Sequence, residues 1–315
     1  MKVVIIGGVA GGATAAARIR RLDERAEIIM LERTGYVSYA NCGLPYYVGG
    51  EIEDEEELTL QTPASFFARY RVDVRVLSEA LAIDRKNKTV TVKNLKTGET
   101  YEETYDKLLL SPGARAVIPP AARVKDPRVF TLRTVEDTLA IHACVEKTAP
   151  KDAVVVGGGF IGLETAENLM RKGVRVTLIQ LDSQVMPPFD SDMAALLHNE
   201  LRARGVQLHL SESCTAIESD ERLTVRTDKG IYAADLAVIA VGVAPDTQLA
   251  KDAGLALGVK DSIAVDEYMR TSDEDIYAVG DAVEVRQFVT GKKTLIALAG
   301  PANKQGRIAA DNICG

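Results

Sequence analysis

Two stretches of the chain, residues 2–32 and 151–180, follow one plan: buried strand, glycine-rich turn, helix, second buried strand. In the first, the β-branched run 2–6 suits a strand covered on both faces. Glycines 7, 8, 11 and 12 form the turn, residues 13–22 are rich in helix formers, and residues 27–31 form the next strand. In the second, residues 153–156 are the strand, 157–162 the turn, 163–171 the helix and 174–179 the following strand. Each is the opening of a βαβ nucleotide-binding fold, so the chain is expected to be α/β with two Rossmann-like domains.

The two turns differ in detail. Gly157-Gly158-Gly159-Phe160-Ile161-Gly162 is a full G-x-G-x-x-G, whereas the first turn has Gly7 and Gly12 in place but Val9 in the middle position. Gly8 and Gly11 beside Val9 still permit a pyrophosphate to approach the backbone. Glu32 stands 20 residues past Gly12, where a carboxylate accepts hydrogen bonds from ribose hydroxyls. The matching position of the second unit is Gln180, with Asp182 two further on and no arginine at 181–183 to hold a 2′-phosphate. NADH and NADPH therefore stay unseparated here, with NADH favoured. Two such units in one chain imply two dinucleotides.

Other elements follow the same reasoning. Residues 63–70 read as a helix start, 72–76 as a strand, and 89–95 with 99–104 as a hairpin around Thr97-Gly98. Residues 107–114 form a buried strand ending in the turn Ser111-Pro112-Gly113, and residues 235–241 end similarly at Gly242. Helices are expected over 135–147 and 193–204, a strand over 206–210, and a second hairpin over 223–227 and 230–233. The stretch 271–281 ends a strand at Gly280-Asp281, and the last segment is helical after Pro301.

Composition limits the partners. With 315 residues, 46% hydrophobic and 26% charged, the chain is long enough for two cored domains. A net charge of −7 argues against a nucleic-acid backbone as partner. The apolar start resembles a signal peptide, but glycines interrupt it and a charged helix follows; no apolar run is long enough for a membrane span. A cytoplasmic protein is expected. Cys42, Cys144, Cys214 and Cys314 show neither C-x-x-C nor zinc spacing, so no metal site is expected. His142, His198 and His209 are read as surface or satisfied residues.

Cys42 is different. It lies in residues 35–47, G-Y-V-S-Y-A-N-C-G-L-P-Y-Y, directly after the first βαβ pattern. The thiolate is a cysteine's reactive form, and a helix beginning near residue 44 would favour it. The remaining three cysteines are read as structural.

The two glycine turns, Ser111-Pro112-Gly113 and the Y-A-V-G-D strand together resemble the two-dinucleotide, glutathione-reductase-like flavoprotein disulfide reductases. The stretch S-Y-A-N-C-G-L-P-Y-Y is similar to that of their single-cysteine branch, the coenzyme A-disulfide reductases and NADH-dependent persulfide reductases. The resemblance implies an FAD domain formed by residues 1–117 and 244–315, with an NAD(P)H domain, 118–243, inserted. It implies electron flow from NAD(P)H through FAD to Cys42, which reduces coenzyme A disulfide or a persulfide or polysulfide. FAD would be held by Gly7, Gly8, Ala10, Gly12, Glu32, Arg33, Asn41, Ser111, Pro112, Gly113, Arg133, Gly280, Asp281 and Ala299. NAD(P)H would lie over Gly157, Gly159, Phe160, Ile161 and Gly162, near Gln180, with Glu164 and Gly242 flanking the nicotinamide.

Thr14, Arg18 and Arg21, with Arg25 one turn beyond, are spaced for one helix face. The resemblance makes this a coenzyme A surface, whose arginines would pair with phosphates. Tyr70 stands where some members carry a lysine for the same ligand, so that contact would be missing or replaced by stacking, and Ser38, Asn41 and Asn303 would face the substrate. It further implies a third, dimer-forming domain, so this chain is expected to be truncated before it, with its own activity in question. Whether a rhodanese-like domain followed is left open. Two other readings remain: an NADH oxidase or peroxidase cycling Cys42 through a sulfenic acid, and a flavin redox sensor or electron-transfer protein.

Overall fold

A computed structural model describes residues 1–315. They pack into two compact units. The first comprises Met1–Tyr39, Thr59–Arg115 and Ala244–Gly315; the second comprises Ala40–Leu58 and Ala116–Val243.

The first unit is built on a five-stranded parallel sheet in the order Ile276–Ala278, Lys107–Leu110, Lys2–Ile6, Glu27–Leu31, Val72–Arg75. The central strand is apolar and fully buried at Val3, Val4 and Ile5, as a strand covered on both faces must be. One face is covered by helices Ala10–Leu22 and Ala299–Cys314, which pack together through Ala15, Ala16, Ala309 and Ala310. Small side chains bring these helices close: a Cβ on Gly306 would stand 2.6 Å from the Gly11 carbonyl oxygen. The other face is covered by an antiparallel sheet of Ser78–Asp84, Thr89–Asn94 and Thr100–Thr104, with Ile83, Val90 and Val92 in the core.

The second unit repeats the plan, with parallel order Gln207–Leu210, Arg175–Gln180, Asp152–Val156, Leu236–Ile239, Val129–Phe130. Its helices are Val135–Thr148, Phe160–Arg171 and Ser191–Ala203, and its antiparallel layer is Cys214–Ser219, Leu223–Thr227, Ile231–Ala234. No helix in the chain is long and apolar enough to cross a membrane.

Four features differ from the expectations above. Residues 40–58 pack with the second unit, although a division at residue 117 keeps them with the first. The short helix Leu44–Gly49 lies on helices Phe160–Arg171 and Val135–Thr148. Three contacts hold it: Gly49 against the Asn168 side chain, the Tyr47 ring 4.7 Å from that of His142, and a Glu51–Arg171 ion pair. The strands Ser78–Asp84 and Cys214–Ser219 turn both expected hairpins into three-stranded sheets. The last helix begins at Ala299, because proline is tolerated in a first turn.

Finally, the first helix ends at Leu22, with Asp23 extended, so Arg25 is off the helix face expected to carry it. The cause is Arg20. Its guanidinium donates to the carbonyls of Tyr70 (2.7 Å), Asp23 (3.1 Å), Glu24 (2.6 Å), Ala26 (2.7 Å) and Arg71 (3.1 Å). These bonds join two turns at one edge of the sheet through a charge that no neutral side chain replaces. Arg20→Met is expected to lower unfolding stability by about 2–3 kcal/mol, read as a lower urea midpoint at unchanged slope.

Candidate functional site

In the first unit the glycine turn and the ends of the strands converge. A Cβ on Gly12 would lie 1.9 Å from the Gly7 carbonyl oxygen, so the helix can reach the turn only with glycine there. The helix that follows has no side-chain hydrogen bond at its N-cap and no acid in its first turn, which leaves the Ala10 and Gly11 N–H groups for an outside acceptor. Glu32, 6% exposed, accepts the Gly8 N–H at 2.8 Å through Oε2. Its Oε1 accepts the N–H and hydroxyl of Thr34, both at 2.9 Å. Ser111 accepts the Gly12 N–H through Oγ at 3.1 Å, and Pro112 and Gly113 continue that turn.

Gly280 and Asp281 form a turn after strand Ile276–Ala278, with the Gly280 N–H held by Gln305 Oε1 at 2.8 Å. Ala10 and Ala299 open the two packed helices. Arg33 is half exposed and ion-paired with Asp246 at 2.8 Å. These residues fit a dinucleotide: glycines for close approach, free helix N–H groups for the pyrophosphate and a buried-edge carboxylate for the ribose. Thr34 and Gln305 are absent from the sequence-based site. A threonine two residues after the strand-end acid was the available signal for the first.

The expected substrate face also lies in this unit. Thr14 donates to Asn303 Oδ1 at 2.8 Å, and Arg18 is ion-paired with Asp311 at 2.7 Å. Arg21 is exposed, its guanidinium 5.8 Å above the Tyr70 ring, which in turn packs 5.4 Å from Phe66. Ser38 holds a left-handed backbone, φ 52°, and donates its N–H to the Gly8 carbonyl at 2.8 Å. The expectation of three arginines on one face is corrected at Arg25, which is off the helix; Arg18 and Arg21 stay on it, with Arg18 paired to Asp311.

The second unit gathers the remaining residues. A Cβ on Gly162 would lie 1.8 Å from the Gly157 carbonyl oxygen, the same close approach as at Gly12. Gly159 caps helix Phe160–Arg171, whose first turn has no acid and no side-chain cap. Phe160 is exposed and Ile161 half-buried. Gln180, 6% exposed, accepts the Gly158 N–H through Oε1 at 2.7 Å. This loop fits a second dinucleotide on the same grounds. Gly242, φ 127°, follows strand Leu236–Ile239, and its carbonyl accepts the Val117 N–H.

Cys42 is an exposed free thiol on the single turn Asn41–Gly43, directly ahead of helix Leu44–Gly49. Asn41 Nδ2 donates to the Arg133 carbonyl at 3.5 Å, and the Arg133 N–H is held by Asp137 at 2.8 Å. The histidines have structural partners: His142 packs on Tyr47, His198 accepts the Val185 N–H, and His209 meets Tyr232 and Glu212.

Burial raises the carboxyl pKa of Glu164, and the charge of Glu167 raises it further. Tyr46 is raised likewise, by burial first and then by Glu164, Glu167 and Glu51. A carboxyl whose folded pKa lies above its unfolded value weakens the fold as pH rises through that interval. Glu164→Gln is accordingly expected to raise Tm by about 1–3 °C at pH 7. The gain should vanish below the ordinary glutamate pKa, where both states are protonated, as a pH series of thermal melts would show.

The family model for pyridine nucleotide-disulphide oxidoreductases matches residues 1–306. The coenzyme A disulfide reductase of Staphylococcus aureus is 36% identical over 314 residues, covering 100% of this chain and 70% of that protein. The NADH oxidase of Methanocaldococcus jannaschii is 36% identical over 317 residues, with the same coverage. Among solved structures, reduced Bacillus anthracis CoADR-RHD matches with TM-score 0.97 and 49% identity, covering 100% of this chain and 57% of that one. An NAD-dependent persulfide reductase from A. fulgidus matches with TM-score 0.96 and 42% identity, covering 100% and 59%. The chain thus spans 70% of the curated relatives and under two thirds of both solved chains. The chain belongs to the pyridine nucleotide-disulphide oxidoreductases.

Proposed function

We propose that the full protein is an FAD-dependent, NAD(P)H-driven reductase whose single thiol, Cys42, reduces coenzyme A disulfide or a low-molecular-weight persulfide or polysulfide. The observation that carries this reading is Cys42 itself. It is exposed, unpaired, and set on a turn anchored by Asn41, in a chain whose two glycine loops each fit a dinucleotide. Support comes from relatives named for coenzyme A disulfide and persulfide reduction.

Bound FAD supplies a two-electron relay between the nicotinamide and the thiol. Gly7, Gly8, Gly12, Glu32, Ser111 and Asp281 would hold it in the first unit; Gly157, Gly159, Gly162 and Glu164 would seat NAD(P)H in the second. The Cys42 thiolate attacks one sulfur of the substrate, the S–S bond breaks, and the outgoing sulfur leaves as a thiolate that takes a proton from solvent. Cys42 is then held as a mixed disulfide, and two further electrons release the second thiol. Thr14, Arg21 and Asn303 would guide the anionic substrate, with Arg18 available once its pair with Asp311 opens. The protein is proposed to be cytoplasmic, with a small-molecule partner and neither nucleic acid nor membrane. Its full length is proposed to be a homodimer.

The rival is an NADH oxidase, favoured by the archaeal relative of that name. In full-length enzyme, Cys42→Ser is expected to lower turnover of coenzyme A disulfide by about 100-fold while NADH still bleaches the flavin. Unchanged disulfide turnover in that variant would refute the proposal. Oxygen uptake exceeding disulfide turnover in the unmodified enzyme would favour the oxidase.

A further inference from the structure

We infer that Asp182, and not the residue at position 180, is the acidic group that selects the nucleotide in the second unit and favours NADH over NADPH. The inference rests on the reading of the loop containing Gly157 and Gly162 as the pyridine-nucleotide site. Strand Arg175–Gln180 ends where a ribose-binding acid is expected, yet it ends in a neutral amide. The structure shows what that amide does. Gln180 Oε1 accepts the Gly158 N–H at 2.7 Å, and Gln180 Nε2 donates to Asp182 Oδ2 at 2.9 Å. The amide is buried and ties the glycine loop on one side to a carboxylate on the other.

In the first unit one residue has both jobs. Glu32 accepts the Gly8 N–H and also supplies the negative charge. In the second unit the jobs are divided: Gln180 holds the loop, and the charge stands one amide farther out, on Asp182. Asp182 is exposed, and the bond from Gln180 uses one of the roughly four acceptor positions of a carboxylate. Its backbone is fixed as well, since its carbonyl accepts the Ser211 N–H at 2.9 Å. A neighbouring bond, Glu212 N–H to the Gln180 carbonyl at 3.0 Å, steadies the same segment. Asp182 is thus held, solvated and charged beside the loop, with acceptor positions for ribose hydroxyls.

The same arrangement disfavours a 2′-phosphate. From Leu181 to Leu201 there is no lysine or arginine, so this segment offers no cation for the phosphate. A phosphate monoester of about two negative charges would meet the Asp182 carboxylate with no compensating partner from this segment.

Two ligands lacking the nicotinamide separate binding from turnover. Calorimetric titration of the holoprotein is expected to show ADP-ribose binding about tenfold tighter than 2′-phospho-ADP-ribose. Asp182→Asn keeps an oxygen to accept the Gln180 bond but removes the charge. That variant should cut the preference about fivefold, mainly by tightening the phosphorylated ligand. Asp182→Arg should reverse the preference, and Asp182→Asn should keep the wild-type Tm because its amide oxygen still accepts the Gln180 bond. A wild-type protein that binds both ligands equally, or a preference unchanged in Asp182→Asn, would overturn the inference. If neither ligand binds the wild type, the reading of the loop as a nucleotide site fails, a result distinct from loss of discrimination.

Discussion

One hydrogen bond recurs in both units and shapes what each can bind: a strand-end side chain accepting the N–H of the glycine after the first turn residue. In the first unit it is Glu32 to Gly8, and in the second Gln180 to Gly158. Both acceptors are 6% exposed, and both N–H groups lie inside the fold. A buried donor left without a partner costs about 1–3 kcal/mol, so the side chain at the end of this strand is part of the loop's architecture before it is part of a ligand site. Its chemical type then decides whether the same group also carries a charge.

That dependence explains what could be read from the sequence. The strands, turns and helices of both βαβ units were legible because their signals are local: β-branched runs, glycines and helix formers in fixed order. The strand-end position of Glu32 and Gln180 was legible by distance along the chain. The bonds of Gln180 were not, because an amide at a strand end has many partners open to it and only the folded loop selects Gly158 and Asp182.

Non-local packing accounts for the rest. Residues 40–58 follow the first βαβ pattern directly, yet they pack with the second unit because Gly49 fits the Asn168 side chain and Tyr47 lies on His142. Those partners are about a hundred residues away, so no window around Cys42 contains them. Arg18 is similar: on its own helix it reads as one of a row of cations, but its partner Asp311 comes from a helix at the other end of the chain. The strand Ser78–Asp84 was missed for a different reason. Ser-Glu-Ala-Leu-Ala-Ile-Asp has a single β-branched residue, and its pairing with Thr89–Asn94 overrides that weak preference.

The glycines of the two loops divide by the same logic into those the chain requires and those it does not. Gly12 and Gly162 are required: a Cβ on either would collide with the backbone oxygen of Gly7 or Gly157, whatever was bound. Gly159 differs, because a Cβ there would meet nothing within 4 Å. The protein's own packing gives no reason for glycine at that position; a ligand lying against the backbone would give one. In the first loop the corresponding residue is Val9, and Gly8 and Gly11 flank it. A Cβ on Gly8 would press on Val37 and one on Gly11 on Ser111 and Val279, so these glycines answer to internal packing. The loops are therefore equivalent as folding devices and unequal as ligand surfaces. The second leaves its backbone bare at Gly159 and holds its charge outside, on Asp182. The first covers that point with Val9 and draws its charge inward, on Glu32.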